Sequence, residues 1–168
     1  HPEWREKNYK NEDIRPSWRY PVSLTDDRCV DAMIKKYTAF LNQFDWDGVN
    51  IAEVYFEAGR GFEDAKFFTP MHPSAQREIK SKYNIDLTKI FDPQSQFFWR
   101  THPDVKNAIV TYRVAQLRYV YKKILTALLP IAESKKGFQT IVTAMDGVGS
   151  PELREYIGAD IHSVLQLQ

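Results

Sequence analysis

An α/β fold built from parallel βα units is what this sequence predicts, and three observations carry the prediction. Strand-like and helix-like segments alternate along the chain, the order that yields parallel strands joined by crossovers. The first strand-like run, Val49 to Phe56, is hydrophobic almost without a break, as in strands covered by helices on both faces. Finally, 168 residues, 43% of them hydrophobic, suffice for a single domain with one sizeable core.

Residues 1–24 are polar, carry three prolines and hold no sustained period, so they read as irregular. Trp4 and Trp18 lie here, where an aromatic outside a core pattern needs some other surface, either the domain body or the wall of a cleft. From Asp26 to Phe44 the spacing predicts a helix. Thr25 is a suitable N-cap, and Asp26 and Asp27 suit the positive end of the dipole. Val30, Met33, Ile34, Tyr37, Phe40, Leu41 and Phe44 recur on one face and read as a core stripe. Asp47-Gly48 then signals a turn into the Val49–Phe56 strand, which only Asn50 and Glu53 interrupt. A buried carboxylate costs about several kcal/mol unless paired. Glu53 is therefore either hydrogen-bonded or at the open end of the strand.

A long connection follows Glu57, with a short helix at Pro73–Tyr83 and a turn at Leu87–Phe91. Connections of this length with structure of their own are commonly functional. The second long helix opens with Thr101 as N-cap and Pro103 and Asp104 in its first turn. Val110, Val114, Leu117, Tyr121, Ile124 and Leu128 share a face, Pro130 ends the helix, and it reads as a crossover helix on a sheet. A second strand spans Phe138 to Met145 and ends in Asp146-Gly147. Ser150-Pro151-Glu152 opens a short helix through Tyr156, and residues 159–168 read as a third strand.

Composition excludes several classes of function. Lys and Arg number 23 against 22 Asp and Glu, and a net charge of +1 gives no electrostatic case for nucleic acid or an anionic membrane surface. The single Cys29 excludes a disulfide framework and a cysteine zinc site, and no run approaches the apolar length of a membrane span. No G-x-G-x-x-G follows a strand, since Gly59-Arg60-Gly61 lacks the third glycine. There is no Walker loop, G-x-S-x-G or H-E-x-x-H. His72 and His102 each precede proline, and His1 and His162 lie near the chain ends. Neither cofactor nor metal is expected. A chain that opens on His1 rather than Met reads as an excised piece.

What recurs is a carboxylate at the carboxyl end of each strand, Glu53 and Glu57 on the first and Asp146 on the second. That edge is where ligands bind in barrels and open α/β sheets. On a regular strand Glu53 and Glu57 lie about 13 Å apart, beyond the ~5–9.5 Å that separates paired glycosidase carboxyls. Adjacent strands lie about 5 Å apart, so Glu53 with Asp146 is the better pair. Each acid also has a plain structural reading: Asp146 opens a turn and Glu57 caps a loop. Arg60 is placed to orient one of the acids.

HPEWRE, then WRYPVSL, a helix, FDWDGVNIAEVYFE, and the downstream TPMHP and KYNID segments resemble the middle of a glycoside-hydrolase-like (β/α)8 barrel, of the kind found in bacterial polysaccharide-processing proteins. A whole barrel needs at least about 200 residues. The resemblance therefore implies a partial TIM barrel, a half-barrel-like fragment running from after strand three through strand six. It implies acid/base hydrolysis of a carbohydrate polymer, with Glu53 as acid/base or nucleophile, Asp146 as its partner, and Glu57 and Arg60 as tuning or positioning groups. Trp4, Trp18, Tyr55 and Trp99 become sugar-stacking candidates, and Asn50 and His72 complete the substrate-binding set. Relatives carry an acid where Asn50 and Ala52 stand, which shifts the carboxylate load to Glu53 and Glu57. Two other readings stay open. One is a non-catalytic carbohydrate-binding barrel; the other is an assembly domain whose acids pair with Arg60, Arg100 or Arg154. An open half-barrel exposes strand edges, so self-association is also expected.

Overall fold

A computed structural model describes residues 1–57, 59–145 and 152–167 and contains the expected parallel pair, although the strands are not covered on both faces: only Ile51 of the first is buried, and the second is largely exposed. Strand β1 (Gly48–Ala52) runs parallel to β2 (Gln139–Thr143), with Gly48 opposite Gln139 and Ala52 opposite Thr143. The Gln139 N–H donates to the Asp47 carbonyl at 2.9 Å. Carried up the ladder, that phase turns the main chain of Val49 and Ile51 toward β2. The groups of Gly48, Asn50 and Ala52 face an edge with no partner strand among the described residues. Only glycine fits at position 48, because a Cβ there would run into the Gln139 carbonyl.

Helix α1 (Asp27–Gln43) is capped by Asp26, whose carboxylate accepts the Arg28 N–H at 3.0 Å. Helix α2 (Pro73–Tyr83) has the predicted bounds and ends on Asn84 in the left-handed region, with φ of 57°. Helix α3 (Pro103–Ser134) has His102 rather than Thr101 as N-cap, and Pro130 does not end it. A proline inside a helix forfeits one bond and crowds the preceding turn. The last turn holds because Ile131 is buried beside the sheet and its carbonyl accepts the Lys135 N–H.

The third predicted strand is also corrected. After α4 (Glu152–Ile157), residues Ile161–Leu165 form a short helix, α5, because the Asp160 carboxylate accepts the Ser163 N–H at 3.3 Å and so caps a helix start. The described sheet therefore has two strands, and the chain is a mixed helix-and-strand fold with a parallel pair.

Two cores lie along α3. In the first, Phe62, Phe68, Met71, Ile79, Leu87 and Ile90 of the long connection pack on Val105, Ile109 and Tyr112. In the second, Leu41 and Ile51 meet Tyr121, Leu128 and Ile131. Each such aliphatic side chain, once fully buried, stabilises the fold by about 1.5–3 kcal/mol. The α1 stripe divides. Val30 and Leu41 are buried, while Tyr37, Phe40 and Phe44 are 59%, 49% and 52% exposed. The rings of Phe40, Phe44 and Trp46 gather on the surface at centroid distances of 5.4–5.6 Å. The stripe is wider than the surface that α3 and β1 offer it.

Arg113 on α3 is fully buried. Its guanidinium donates to the carbonyls of Glu155 and, at 2.7 Å, Tyr156, and lies 4.8 Å from the centre of the Phe68 ring. Burial without a carboxylate partner pushes it below its ordinary pKa. These bonds take up carbonyls near the end of α4 and hold that helix against α3.

The amino-terminal segment is not loose. Isolated bridges join Arg5 to Val22 and Lys7 to Asp13. Glu6 is buried, and its Oε1 accepts the N–H groups of Lys7 at 3.1 Å, Met71 at 2.9 Å and His72 at 2.6 Å. His72 Nδ1 accepts the Ser74 N–H at 3.3 Å and bonds the Ser74 hydroxyl at 2.7 Å, so Nε2 carries the proton that goes to the Glu3 carbonyl at 2.9 Å. Hydroxyl contacts continue from Ser74 to Thr25 and Ser23.

Burial raises the Glu6 pKa above 4.5. The folded chain thus binds this proton more tightly than the unfolded chain does, and the Glu6 contribution to stability falls as pH rises from 4.5 through the raised value. Glu6→Gln keeps an Oε1 acceptor and removes the charge. Urea unfolding is expected to show less than about 1 kcal/mol lost at neutral pH and a flatter pH dependence above 4.5.

Candidate active site at the carboxyl end of the strands

The strand predicted to reach Phe56 stops at Ala52 because Glu53 turns to φ of 59°. A non-glycine residue held there is strained, and such strain collects at ligand sites. The turn carries the Glu53 carboxylate out to solvent at the carboxyl end of β1, so of the two alternatives for this acid the open end of the strand is the one found. Tyr55 N–H donates to the Glu53 carbonyl at 3.1 Å, and Phe56 N–H donates to the Ile157 carbonyl at 3.0 Å. The segment after β1 is thereby pinned to the end of α4.

Two hollows flank this segment. The larger, a cleft of about 530 Å³, runs between α1, residues 19–24, β1 and the second half of α3. Asn50, Glu53, Tyr55 and Glu57 line it, with Arg19, Tyr20, Tyr37 and Thr38, over a floor that includes Leu41 and Leu128. The smaller, about 200 Å³, lies at the carboxyl ends of both strands, between residues 53–55, residues 143–145 and the turn into α5. Glu53, Val54 and Tyr55 form the wall common to both.

The two acids of this segment differ in their partners. Glu57 Oε2 accepts from Arg19 at 2.7 Å, and its carbonyl accepts from the Thr69 hydroxyl, so both ends of the residue are fixed. The Glu57 charge, with the Tyr55 hydroxyl adding to it, holds the Arg19 guanidinium above its ordinary pKa. No described cation forms an ion pair with Glu53. Asn50 Oδ1 accepts from the Thr143 hydroxyl at 3.0 Å, a side-chain bridge across the strand pair.

Of the ten residues that the sequence offered, Asn50, Glu53, Tyr55 and Glu57 meet in the larger cleft. Asp146 lies outside the described residues. The others lie elsewhere. His72 is buried as the cap of α2, where both ring nitrogens are engaged. Trp99 packs on Phe62 at 5.4 Å in the first core, under the Arg100 guanidinium at 4.6 Å. Trp4 stacks on His1 at 3.9 Å, and Trp18 stands 81% exposed. Arg60 is exposed and lines neither hollow. The arginines named for the assembly reading are engaged too, Arg100 with Glu63 and Arg154 with Asp160, but neither touches Glu53 or Glu57. Arg19, which no motif marks, also lines the larger cleft. Its only sequence signal was a cation between two aromatics, Trp18 and Tyr20.

Among the described residues no group of three or more His, Cys, Asp or Glu side chains is placed to hold a metal ion, and no helix is long and apolar enough to cross a membrane. No protein-family model, curated protein or solved structure matches the chain.

Because Arg19 is 40% exposed at its side chain, its ion pair with Glu57 is partly screened by solvent. Arg19→Met is expected to cost less than about 1 kcal/mol in urea unfolding. A larger loss would make the pair a fastening of the fold rather than a device of the cleft.

Proposed function

We propose that the chain is part of a glycoside-hydrolase-like (β/α)8 barrel that cleaves a carbohydrate polymer by carboxylate acid/base chemistry. The observation that supports this reading is Glu53. It is an exposed carboxylate with no described cationic partner, at the carboxyl edge of a parallel pair and on the wall between two hollows. In such chemistry one carboxyl protonates the departing glycosidic oxygen, while a second acts as nucleophile or activates water. Glu53 is the proposed acid/base or nucleophile. Asp146, downstream of β2, is its proposed partner, and Glu57, held by Arg19, positions the substrate. Tyr55 and Tyr37 supply apolar faces for sugar rings.

Purified chain incubated with a panel of polysaccharides is expected to release reducing ends. Glu53→Gln is expected to lower that rate by about 10²–10⁴ with the far-UV circular dichroism unchanged, and Asp146→Asn to do the same. Absence of hydrolysis across the panel would sink the enzyme reading. The Arg19–Glu57 pair, which ties up the second acid of the cleft, favours one alternative: a carbohydrate-binding barrel without catalysis. In that case oligosaccharide binding survives Glu53→Gln.

The finer fold reading, a half-barrel, is supported by the edge of β1 that no described strand pairs and by the exposed aromatic face of α1 beside it. Both are surfaces that neighbouring βα units cover in a closed barrel. Such edges recruit other strands. Sedimentation at rising concentration is expected to reveal self-association, and a monomer throughout would remove it.

A further inference from the structure

We propose that the turn from Arg15 to Tyr20 is an outer subsite for an acidic polysaccharide, with Trp18 stacking on a sugar ring and Arg15 pairing with its carboxylate. This rests on the hydrolase or binding reading above and specifies its substrate class. Ile14 is buried and anchors the turn, and Ser17 sits in the left-handed region, with φ of 60°. Trp18 follows it, more exposed than any other large apolar side chain described. A ring of that size left in water forgoes a large apolar burial, which a ligand lying on it restores. Arg19 and Tyr20, the next two residues, line the larger cleft, so Trp18 stands at its rim.

Cations gather at the same place. The Arg5 guanidinium lies 4.3 Å, and the Arg15 guanidinium 5.2 Å, from the centre of the Tyr20 ring. Two carboxylates serve three of the cations of this segment: Asp13 bonds Arg5 and Lys7, and Glu57 bonds Arg19. Arg15 forms no ion pair among the described residues. The Tyr20 ring thus holds a guanidinium whose charge no described acid meets. A planar guanidinium takes a carboxylate through two parallel bonds, and an indole face takes the C–H face of a sugar ring. A uronic-acid residue presents both groups on one ring, whereas a neutral sugar offers the C–H face alone. An anionic lipid surface is disfavoured, because docking there takes an apolar face of several side chains. Trp18 is flanked instead by Arg15, Pro16, Ser17 and Arg19.

The test is calorimetric titration of the full chain with galacturonic-acid hexamer and cellohexaose, with phosphatidylserine vesicles in parallel. The acidic hexamer is expected to bind roughly three- to tenfold more tightly than the neutral one, and added salt is expected to shrink that advantage. Trp18→Ala should weaken both hexamers by about tenfold. Arg15→Gln should abolish the preference while keeping the neutral affinity, and Lys36→Gln, an exposed cation outside both hollows, should leave it intact. All three side chains are exposed, so the far-UV circular dichroism is expected to stay unchanged. Equal or tighter binding of cellohexaose overturns the acidic-polymer proposal; if hydrolysis of neutral polymers persists, the hydrolase reading stands. Affinity unchanged in Trp18→Ala overturns the subsite, and a preference that survives Arg15→Gln overturns the pairing at Arg15. Vesicle binding that needs Trp18, with neither hexamer bound, assigns the turn to a lipid surface and overturns the proposal. If no hexamer binds and no polysaccharide is cleaved, both readings fall.

Discussion

Two parallel strands cannot be joined by a hairpin, and most of this architecture follows from that constraint. The chain leaving β1 at Ala52 must return to the starting end of the sheet before β2 can pair with it. Helix α3 makes that return and packs on β2, and its second half supplies the floor beneath Ile51 and Leu41. Before the return, the chain builds a separate core from residues 62–90 and fastens it to the first half of the same helix. The close approach at Gly48 sets the register of the pair, so the height at which Glu53 leaves the strand is fixed by main-chain geometry.

Elements whose boundaries are local were legible in the sequence. Helix α2 carries its own proline start, histidine cap and asparagine end, so its limits could be read without knowledge of its neighbours. Elements settled by contacts elsewhere were not. Pro130 is a helix breaker by propensity, and only burial of Ile131 keeps the chain helical past it. Residues 159–168 read as a strand for their apolar content, yet no described strand pairs with residues 159–167, and the Asp160 cap starts a helix that places Ile161, Val164 and Leu165 at helical spacing. The α1 stripe predicts uniform burial, because a periodicity reveals a face and not the extent of what covers it.

The candidate site divides on the same line. Asn50, Glu53, Tyr55 and Glu57 were legible because one short segment carries them all to one place. His72 and Trp99 have the same standing in the sequence, but His72 is buried and Trp99 packs, half-buried, on Phe62 of a distant segment. Arg19 reaches Glu57 across 38 residues, through a segment without period or motif. Its position depends on the buried knot of Glu6, His72, Ser74 and Thr25, which fastens the amino-terminal segment to the start of α2. The Glu6 N–H donates to the carbonyl of Pro21, two residues from Arg19, so this buried residue helps to place a cation in the cleft.

The span of α3 also bears on the order in which the molecule assembles. At 32 residues it is about 48 Å long, enough to serve two cores without bending back on itself. The first core joins buried residues no further apart than Phe62 and Tyr112, while the second joins residues as far apart as Leu41 and Ile131, so the first closes the shorter loops. The second, and with it the strand pair, must await closure of a much longer loop, whose entropic cost is met only once both strands are in place. By loop closure alone, the lobe around α2 and the first half of α3 costs less to order than the strand pair that carries Glu53, and the length of α3 is the ruler that spaces β2 from that lobe.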